Sequence, residues 1–271
     1  PSPSIGYSLG VIDKDISDAY GKIPQCYKDG KNRKKPFGVL TTGAPRIGKS
    51  SNVVSTIKAV IAREAKLVGI ENDPCLINYS YQRNSNIKYW DGYSNQFFTE
   101  FNDAFQEKSP DMVSATANDI TQALDDAVFP LDQSRVEDKG KVFFASKAVI
   151  VNAQAGMFQD HIASQLSSGG KHLAARFDIT IDVKLNKKYQ RENGELGIDY
   201  DKLNEELDSS GEIYRPDDIY EFDFYKAPSN TAQVVNKLGT LYRNISSMQM
   251  FKTELASEYR KLVKRRDASD Q

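Results

Sequence analysis

The feature of this sequence that most constrains its fold is the segment Gly43-Ala44-Pro45-Arg46-Ile47-Gly48-Lys49-Ser50. It fits the pattern G-x-x-x-x-G-K-[ST] of a phosphate-binding P-loop. Residues 37–41 before it predict a short buried strand, and residues 51–66 after it carry apolar side chains at helical spacing. A strand, a glycine loop and a helix in this order form the context that a P-loop requires. The sequence therefore predicts an α/β fold with a site for phosphate groups.

Each part of the loop has a predicted chemical role. Its backbone N–H groups would curl around phosphate oxygens, and the helix that follows adds positive potential at its N-terminus. Lys49 would reach the outer phosphates, and the Ser50 hydroxyl would ligate Mg²⁺. Arg46 stands where such loops often have glycine, and its side chain can point outward or touch phosphate or a neighbouring subunit. The predicted nucleotide-binding residues are Gly43, Ala44, Pro45, Arg46, Ile47, Gly48, Lys49, Ser50 and Ser51.

Composition excludes several other classes of protein. The chain has 271 residues and a formal net charge of −1, so no global basic field indicates nucleic-acid binding. Cys26 and Cys75 lack metal-ligand spacing, which argues against a zinc finger or a disulfide scaffold and fits a reducing compartment. No apolar run approaches transmembrane length, and no signal peptide precedes the fold. The start at Pro1 suggests a piece of a polyprotein, so a membrane anchor can lie outside it.

The chain divides into four predicted segments. Residues 1–36 form a leader whose basic run, 28–35, is interpreted as a solvated loop in preference to an RNA contact. Residues 37–185 alternate strands and helices, which predicts a mostly parallel sheet. Residues 186–229 are polar and predict an insertion or extended arm, and residues 230–271 return to helical periodicity. The predicted strands of the core are Gly38–Thr42, Leu76–Tyr79, Gln96–Phe101, Ala148–Val151 and Arg176–Val183.

Polar residues follow two of the predicted strands. A P-loop needs a neighbouring strand that brings a carboxylate to the metal and orients the attacking water. Asn102 and Asp103 end the strand that begins at Gln96, and with Ser50 they are the predicted metal ligands. Asn152 and Gln154 share one face of the later strand, because side chains alternate with a period of two. We predict that these two amides lie near the γ-phosphate, and that Lys49, Asp103, Asn152 and Gln154 are catalytic.

Several further segments carry a family resemblance across residues 37–185. They are Tyr89-Trp90-Asp91-Gly92-Tyr93, the residues from Leu131 to Val151 with Phe144-Ala145-Ser146, and Arg176-Phe177-Asp178 followed by Asp182. In their order and spacing they resemble the superfamily 3 helicase-type ATPases of picornaviruses and picorna-like RNA viruses. The resemblance implies an AAA+-like P-loop NTPase with a central, mostly parallel sheet flanked by helices, plus a C-terminal helix.

The resemblance also implies a function and partners. ATP and Mg²⁺ would bind at the subunit interfaces of a homo-oligomeric ring, a hexamer, and Arg176 would complete the neighbour's site as an arginine finger. The alternative reading of Arg176 is a structural salt bridge, since the family often has two adjacent arginines and here Ala175 precedes a single one. Hydrolysis would remodel or translocate RNA in viral genome replication. The expected location is the host cytoplasm, at membrane-associated replication complexes with other viral replication proteins.

The chain departs from the family at Asn102, where the Walker B strand usually has an acid. Asparagine can ligate Mg²⁺ through its carbonyl oxygen but adds no negative charge. Either hydrolysis is slow, or the asparagine was introduced to trap bound nucleotide. Glu100 is a further candidate for the metal acid, against the alternative that it is a buried carboxylate paired with a neighbour.

Two surfaces have both a structural and a functional interpretation. The C-terminal helix has one apolar face, which either folds back on its own core or docks on an adjacent subunit, and docking is favoured. Its basic tip could meet RNA phosphate or an anionic membrane surface. Before the Walker B strand, Arg83 and Lys88 are weak candidates for RNA contact in a central pore, and Trp90 is expected to be core.

Two other functions remain open at this point. A rolling-circle initiator helicase domain, which acts on DNA, has a P-loop and a similar aromatic-Asp-Gly stretch. The alternative from another class is a weakly hydrolysing, nucleotide-dependent scaffold ring of a replication complex, and Asn102 is the residue that favours it.

Overall fold

The computed structural model describes eight segments of the chain. They are residues 33–69, 79–84, 87–106, 109–155, 171–191, 195–210, 216–226 and 239–269. The leader as far as residue 32, residues 76–78 of the strand predicted at Leu76–Tyr79, and both cysteines lie outside the described residues.

Seven strands form one sheet in the order β2-β3-β4-β1-β5-β6-β7. Strands β2, β3, β4, β1 and β5 are mutually parallel, and β6 and β7 add antiparallel pairs at one edge. The predicted mostly parallel α/β fold is therefore confirmed. The strands are β1 (Phe37–Gly43), β2 (Ser80–Arg83), β3 (Phe98–Ala104), β4 (Ala148–Ala153), β5 (Ile179–Leu185), β6 (Tyr220–Lys226) and β7 (Thr240–Ile245).

Helices cover both faces of this sheet, and two apolar clusters lie beneath them. One cluster packs β-strand side chains against α1 and α5, and the other packs them against α2. Strand β1 lies between the two, with all seven residues buried, which explains its continuous run of apolar and small residues. The helices are α1 (Ser55–Leu67), α2 (Pro110–Ala123), α3 (Lys171–Ala174), α4 (Tyr200–Ser210) and α5 (Met248–Ser269).

The C-terminal half differs from the expected secondary structure. The sequence predicted an insertion or extended arm over residues 186–229, but β6 lies there and pairs along its length with β5. Helical periodicity was predicted from residue 230, but residues 240–245 form β7. In β6 acidic residues alternate with aromatic ones, and β7 includes Thr240, Arg243 and Asn244, so polar side chains obscured the strand pattern in both. The boundaries of the four predicted segments themselves stay a prediction.

Helix α5 packs against its own chain. Four residues of the predicted apolar face, Phe251, Leu255, Tyr259 and Leu262, are buried, and the fifth, Met248, is half-buried against the same core. Phe251 stacks on Phe222 of β6 with ring centroids 4.1 Å apart. Arg260 of α5 also donates a hydrogen bond to the fully buried carboxylate of Glu64 on α1. The favoured prediction, that this face docks on an adjacent subunit, is therefore wrong. A helical period shows that one face is covered, but it does not show which chain covers it.

None of the described helices combines the length and the apolar character needed to cross a bilayer.

Candidate nucleotide site

The P-loop follows β1 at the carboxyl edge of the sheet. Gly43 ends β1 beside Val183 of β5, so close that a Cβ at this position would lie 2.4 Å from the Val183 carbonyl oxygen. The loop then turns into a six-residue π-helical turn, Lys49–Val54, which continues directly into α1. The helix therefore begins at the loop, and its first N–H groups lie where anions bind best.

Three residues of the loop have positive φ: Gly43, at 147°, Arg46 and Gly48. Gly48 has φ 77°, which glycine adopts without strain. Arg46 has φ 62°, in a region that is uncommon for residues with a side chain. This conformation explains why glycine is usual at the Arg46 position. The Arg46 side chain is exposed, in agreement with the prediction that it can point outward.

Lys49 lies at the centre of the loop with 7% of its surface exposed. Its Nζ donates hydrogen bonds to the carbonyl oxygens of Gly43, at 2.9 Å, and Ala44, at 2.6 Å. Burial lowers the pKa of this ammonium, while the carboxylates of Asp103 and Asp182 act in the opposite direction. The two carbonyl contacts hold the charge inside the loop, where phosphate oxygens could replace them as partners.

Asn152 contacts the P-loop directly. Its Nδ2 donates to the Ser50 hydroxyl at 2.9 Å, and its Oδ1 accepts from Thr41 Oγ1 at 3.2 Å. The contact with Thr41 fixes the orientation of the amide, so the donor end faces Ser50. Gln154 follows the end of β4 and is half-buried, next to Ala155, whose N–H donates to the Gly43 carbonyl at 2.9 Å. Both predicted amides therefore lie beside the loop, and Asn152 is the one that touches it.

A β-bulge separates the roles of Asn102 and Asp103. The register between β3 and β4 shifts between Phe101 and Ala104, and Asp103 has φ 50°. Asp103 is exposed and close enough to Lys49 to affect its pKa. Asn102 instead donates its amide to Gln82 on β2. A bulge re-aims side chains, and here the carboxylate is the group that approaches the loop.

Glu100 does not belong to this group of residues. Its carboxylate is buried and accepts a hydrogen bond from Lys58 Nζ of α1 at 2.8 Å. The alternative that Glu100 is a buried, paired carboxylate is therefore confirmed. Lys58 offsets the cost of burying its charge.

A cavity of about 510 Å³ adjoins the P-loop on the side of β5. The sequence patterns did not predict this cavity, because most residues of its far wall lie in the segment that was predicted to be an arm. Asp182 on its floor accepts a hydrogen bond from Thr42 Oγ1 at 2.8 Å. The loop supplies one wall through Gly43, Ala44 and Ile47, and the opposite wall includes Leu185, Gln190, Arg191, Glu195, Leu196 and Gly197.

Arg176 lies at the opposite edge of the sheet. It precedes β5, two residues before Asp178, whose carboxylate accepts from the Gly38 N–H at the beginning of β1. Gly38 and Gly43 are five residues apart on an extended strand, about 16 Å at 3.3 Å per residue. Arg176 itself is half-exposed and forms a salt bridge with Asp125 at 2.5 Å. Burial alone would raise the pKa of Asp125, but the hydrogen bonds it receives from Arg176 and Asp126, together with the charge of Arg176, outweigh it, and the pKa is lowered.

The two candidate RNA contacts have different surroundings. Arg83 is buried, its guanidinium pairs with Asp119 at 2.8 Å, and its Cζ lies 4.5 Å from the centroid of the Trp90 ring. The predicted RNA contact of Arg83 is therefore wrong, because its guanidinium donates to the carbonyl oxygens of Asn84, Ile87 and Tyr89 and to Asp119 on α2. Lys88 is exposed, so its predicted contact stays open. Trp90 is core, as predicted.

The aromatic-Asp-Gly-Tyr segment has a structural role at the entry to β4. The Tyr93 hydroxyl accepts hydrogen bonds from the N–H groups of Ala145, at 2.7 Å, and Ser146, at 2.9 Å. Ser146 Oγ also donates to the Gln96 carbonyl at 2.6 Å. These contacts align the start of β4 with β3, at the end of the strands away from the P-loop.

The fold and the site define an α/β P-loop protein of the nucleoside triphosphatase type. The family model described as RNA helicase matches residues 39–154, somewhat less than half of the chain. The matched segment runs from β1 through the P-loop and β3 to Gln154, and it confirms the resemblance to the superfamily 3 helicases. No curated protein sequence matches the chain. The match supports a helicase or nucleoside triphosphatase type of function, which implies that the chain binds a nucleotide.

Proposed function

We propose that this protein is a superfamily 3 helicase-type ATPase that uses ATP and Mg²⁺ to remodel or translocate RNA during viral genome replication. The observation that carries the proposal is the convergence of Lys49, Ser50, Asp103 and Asn152 at one edge of the sheet. These residues come from the loop after β1, from β3 and from β4, and they supply the cation, hydroxyl, carboxylate and amide that phosphoryl transfer requires.

The nucleotide would occupy the loop and the adjoining cavity together. The phosphates would lie on the backbone N–H groups of residues 44–50, with Lys49 Nζ exchanging its carbonyl partners for phosphate oxygens. The base and ribose would enter the cavity beside β5, which is of the size usual for small-molecule sites. Asp103 would orient the attacking water, and Asn152 or Gln154 would hold it near the γ-phosphate.

The donor set near the loop is compatible with Mg²⁺. The described residues contain no group of three or more His, Cys, Asp or Glu side chains that could hold a metal by themselves. Mg²⁺ often binds through one or two protein oxygens together with substrate phosphates, and the Ser50 hydroxyl and Asp103 carboxylate are oxygen donors of this kind. The ion would neutralise charge on the phosphates. The predicted ligand Asn102 would first have to leave Gln82.

The proposal includes an assembly and a location. Arg176 is too far from its own P-loop to reach the nucleotide, so it would complete the site of a neighbour in a homo-oligomeric ring, which we propose is a hexamer. The contacts of this ring would not use the apolar face of α5, because that face is buried. Lys88 would supply part of the RNA contact. Membrane-associated replication complexes in the host cytoplasm, with other viral replication proteins, are the proposed setting.

A second candidate is a nucleotide-dependent scaffold ring that hydrolyses slowly. Asn102 favours it, because the amide adds no negative charge beside Asp103 and lies on β2 instead. Both candidates bind ATP, and they differ in turnover.

The test is steady-state ATP hydrolysis with and without RNA, beside an Asn102→Asp variant. We expect RNA to stimulate the wild type and the new carboxylate to raise turnover roughly tenfold, since a charge-assisted contact is worth about 1.5 kcal/mol. Asn102→Ala is the matched control, because it removes the amide without adding charge and should not raise turnover. Equal or lower turnover in the Asp variant would mean that the metal carboxylate is not at position 102. Absence of RNA stimulation would favour the scaffold.

Catalysis is also expected to need a neighbour. Arg176→Ala should keep ATP binding but lose most turnover, because arginine fingers contribute on the order of 10³–10⁵ in rate. Asp125→Ala separates the two roles of Arg176, because it breaks the same salt bridge while leaving the arginine. Mixing Arg176→Ala protein with Lys49→Ala protein should restore part of the activity, since some interfaces then have both groups. Equal defects in the Asp125 and Arg176 variants, or no recovery in co-assembled mixtures, would leave Arg176 as a structural residue.

A further inference from the structure

Tyr220, at the start of β6, forms hydrogen bonds with the P-loop and with the helical turn that follows it. The Tyr220 hydroxyl donates a hydrogen bond to the Ile47 carbonyl at 2.9 Å and accepts one from Asn52 Nδ2 at 2.8 Å. The ring of Tyr220 is 2% exposed, so the hydroxyl is fixed in position by the packing around it. None of the sequence patterns singled out Tyr220 or Asn52.

The contact with Ile47 determines the direction of one peptide group in the loop. In a planar trans peptide the carbonyl and the following N–H point in opposite directions. Because the Ile47 carbonyl faces Tyr220, the Gly48 N–H faces away from Tyr220, toward the inside of the loop. That is the direction in which a P-loop N–H meets phosphate.

The same contacts occupy the space next to Gly48. A Cβ at this position would lie 2.9 Å from Asn52 Nδ2 and 3.0 Å from the Tyr220 hydroxyl. Asn52 is itself fixed on the loop, because its backbone N–H donates to the Gly48 carbonyl at 2.9 Å. Tyr220 and Asn52 therefore enclose Gly48 from the side opposite to the phosphates.

We infer that Tyr220 and Asn52 are positioning residues that hold the Ile47–Gly48 peptide with its N–H turned into the phosphate site, and so set nucleotide affinity without touching the nucleotide. The inference rests on the proposed function, since it concerns the same site. It also gives β6 a functional role. This strand pairs antiparallel with β5 and brings Tyr220 to the P-loop.

The test is ADP binding by calorimetry for wild type, Tyr220→Phe, Asn52→Ala and the double variant. Tyr220→Phe keeps the ring and removes only the hydroxyl. We expect ADP affinity to fall roughly five- to tenfold, the factor that corresponds to one ordinary hydrogen bond. The double variant should lose little more than either single variant, because both changes release the same peptide. Hydrogen exchange of residues 44–50 should become faster in each variant.

Tyr93→Phe is the matched control, since Tyr93 is also a buried tyrosine with a hydrogen-bonded hydroxyl, at the far end of β4. It should lower thermal stability by a similar amount and leave ADP affinity unchanged. Equal ADP affinity in Tyr220→Phe and Tyr93→Phe, with wild-type binding intact, would overturn the inference alone. If the wild type itself does not bind ADP, or Lys49→Ala binds it equally well, the proposed function fails instead.

Discussion

Lys49→Ala is expected to weaken ATP binding at least tenfold and to abolish hydrolysis. The ammonium is buried in the loop, held by the Gly43 and Ala44 carbonyls, and flanked by the Asp103 and Asp182 carboxylates. Alanine removes the main side-chain charge available to the outer phosphates, and contacts of this kind are worth about 1.5–3 kcal/mol. It also leaves the two acids without their neighbouring cation, so repulsion of phosphate adds to the loss.

Calorimetry with ATP measures the first effect and phosphate release measures the second. Lys66→Ala is the control, because Lys66 is an exposed lysine near the end of α1 and its loss changes net charge by the same amount. It should bind ATP as the wild type does. Unchanged ATP affinity in Lys49→Ala would rule out the assignment of residues 43–50 as a P-loop.

Phe251→Ala is expected to destabilise the folded chain by about 3–5 kcal/mol, the usual cost of removing a buried phenylalanine side chain. Phe251 is fully buried against Phe222 and Phe224, with ring centroids 4.1 Å and 5.7 Å away. A domain has roughly 5–15 kcal/mol of stability in all, so this single change should remove a large part of it. Chemical denaturation should show a much lower midpoint.

Met250→Ala is the control for this variant, because Met250 is the preceding residue on the same helix and is 52% exposed. The free energy of unfolding of Met250→Ala should stay within about 0.5 kcal/mol of the wild-type value. Size-exclusion chromatography with light scattering measures assembly, and so tests the alternative that α5 docks on a neighbouring subunit. If Phe251→Ala unfolds at the wild-type midpoint but no longer assembles, α5 docks on a neighbouring subunit in solution.

The sequence predicted the main residues of the site because the patterns that indicate them are local. The P-loop pattern places Lys49 and Ser50 within eight residues, and the flanking apolar runs predict β1 and α1 from their spacing alone. The period-two alternation of β4 places Asn152 and Gln154 on one face, and the structure has both beside the loop. Chain connectivity fixes these relations, so no distant contact can change them.

The interpretations that the sequence could not settle all depend on contacts with another element of the fold. Arg83 and Lys88 look alike in the sequence, but Asp119, thirty-six residues away on α2, pairs with Arg83 and buries it. Asn102 and Asp103 are adjacent, and only the bulge opposite β4 decides which of them approaches Lys49. In both cases the partner comes from another element, and a pattern along one element does not identify it.

The sequence by itself determined the phosphate loop, the strand and helix on either side of it, and the amphipathic character of the last helix. Tertiary structure alone decided that α5 covers its own core, that β6 and β7 extend the sheet, and that Tyr220 reaches Ile47 across 173 residues of chain. The physical reason is that turn geometry and side-chain period are local properties of the backbone. Burial and hydrogen-bond partners depend on which distant surfaces meet when the chain is compact.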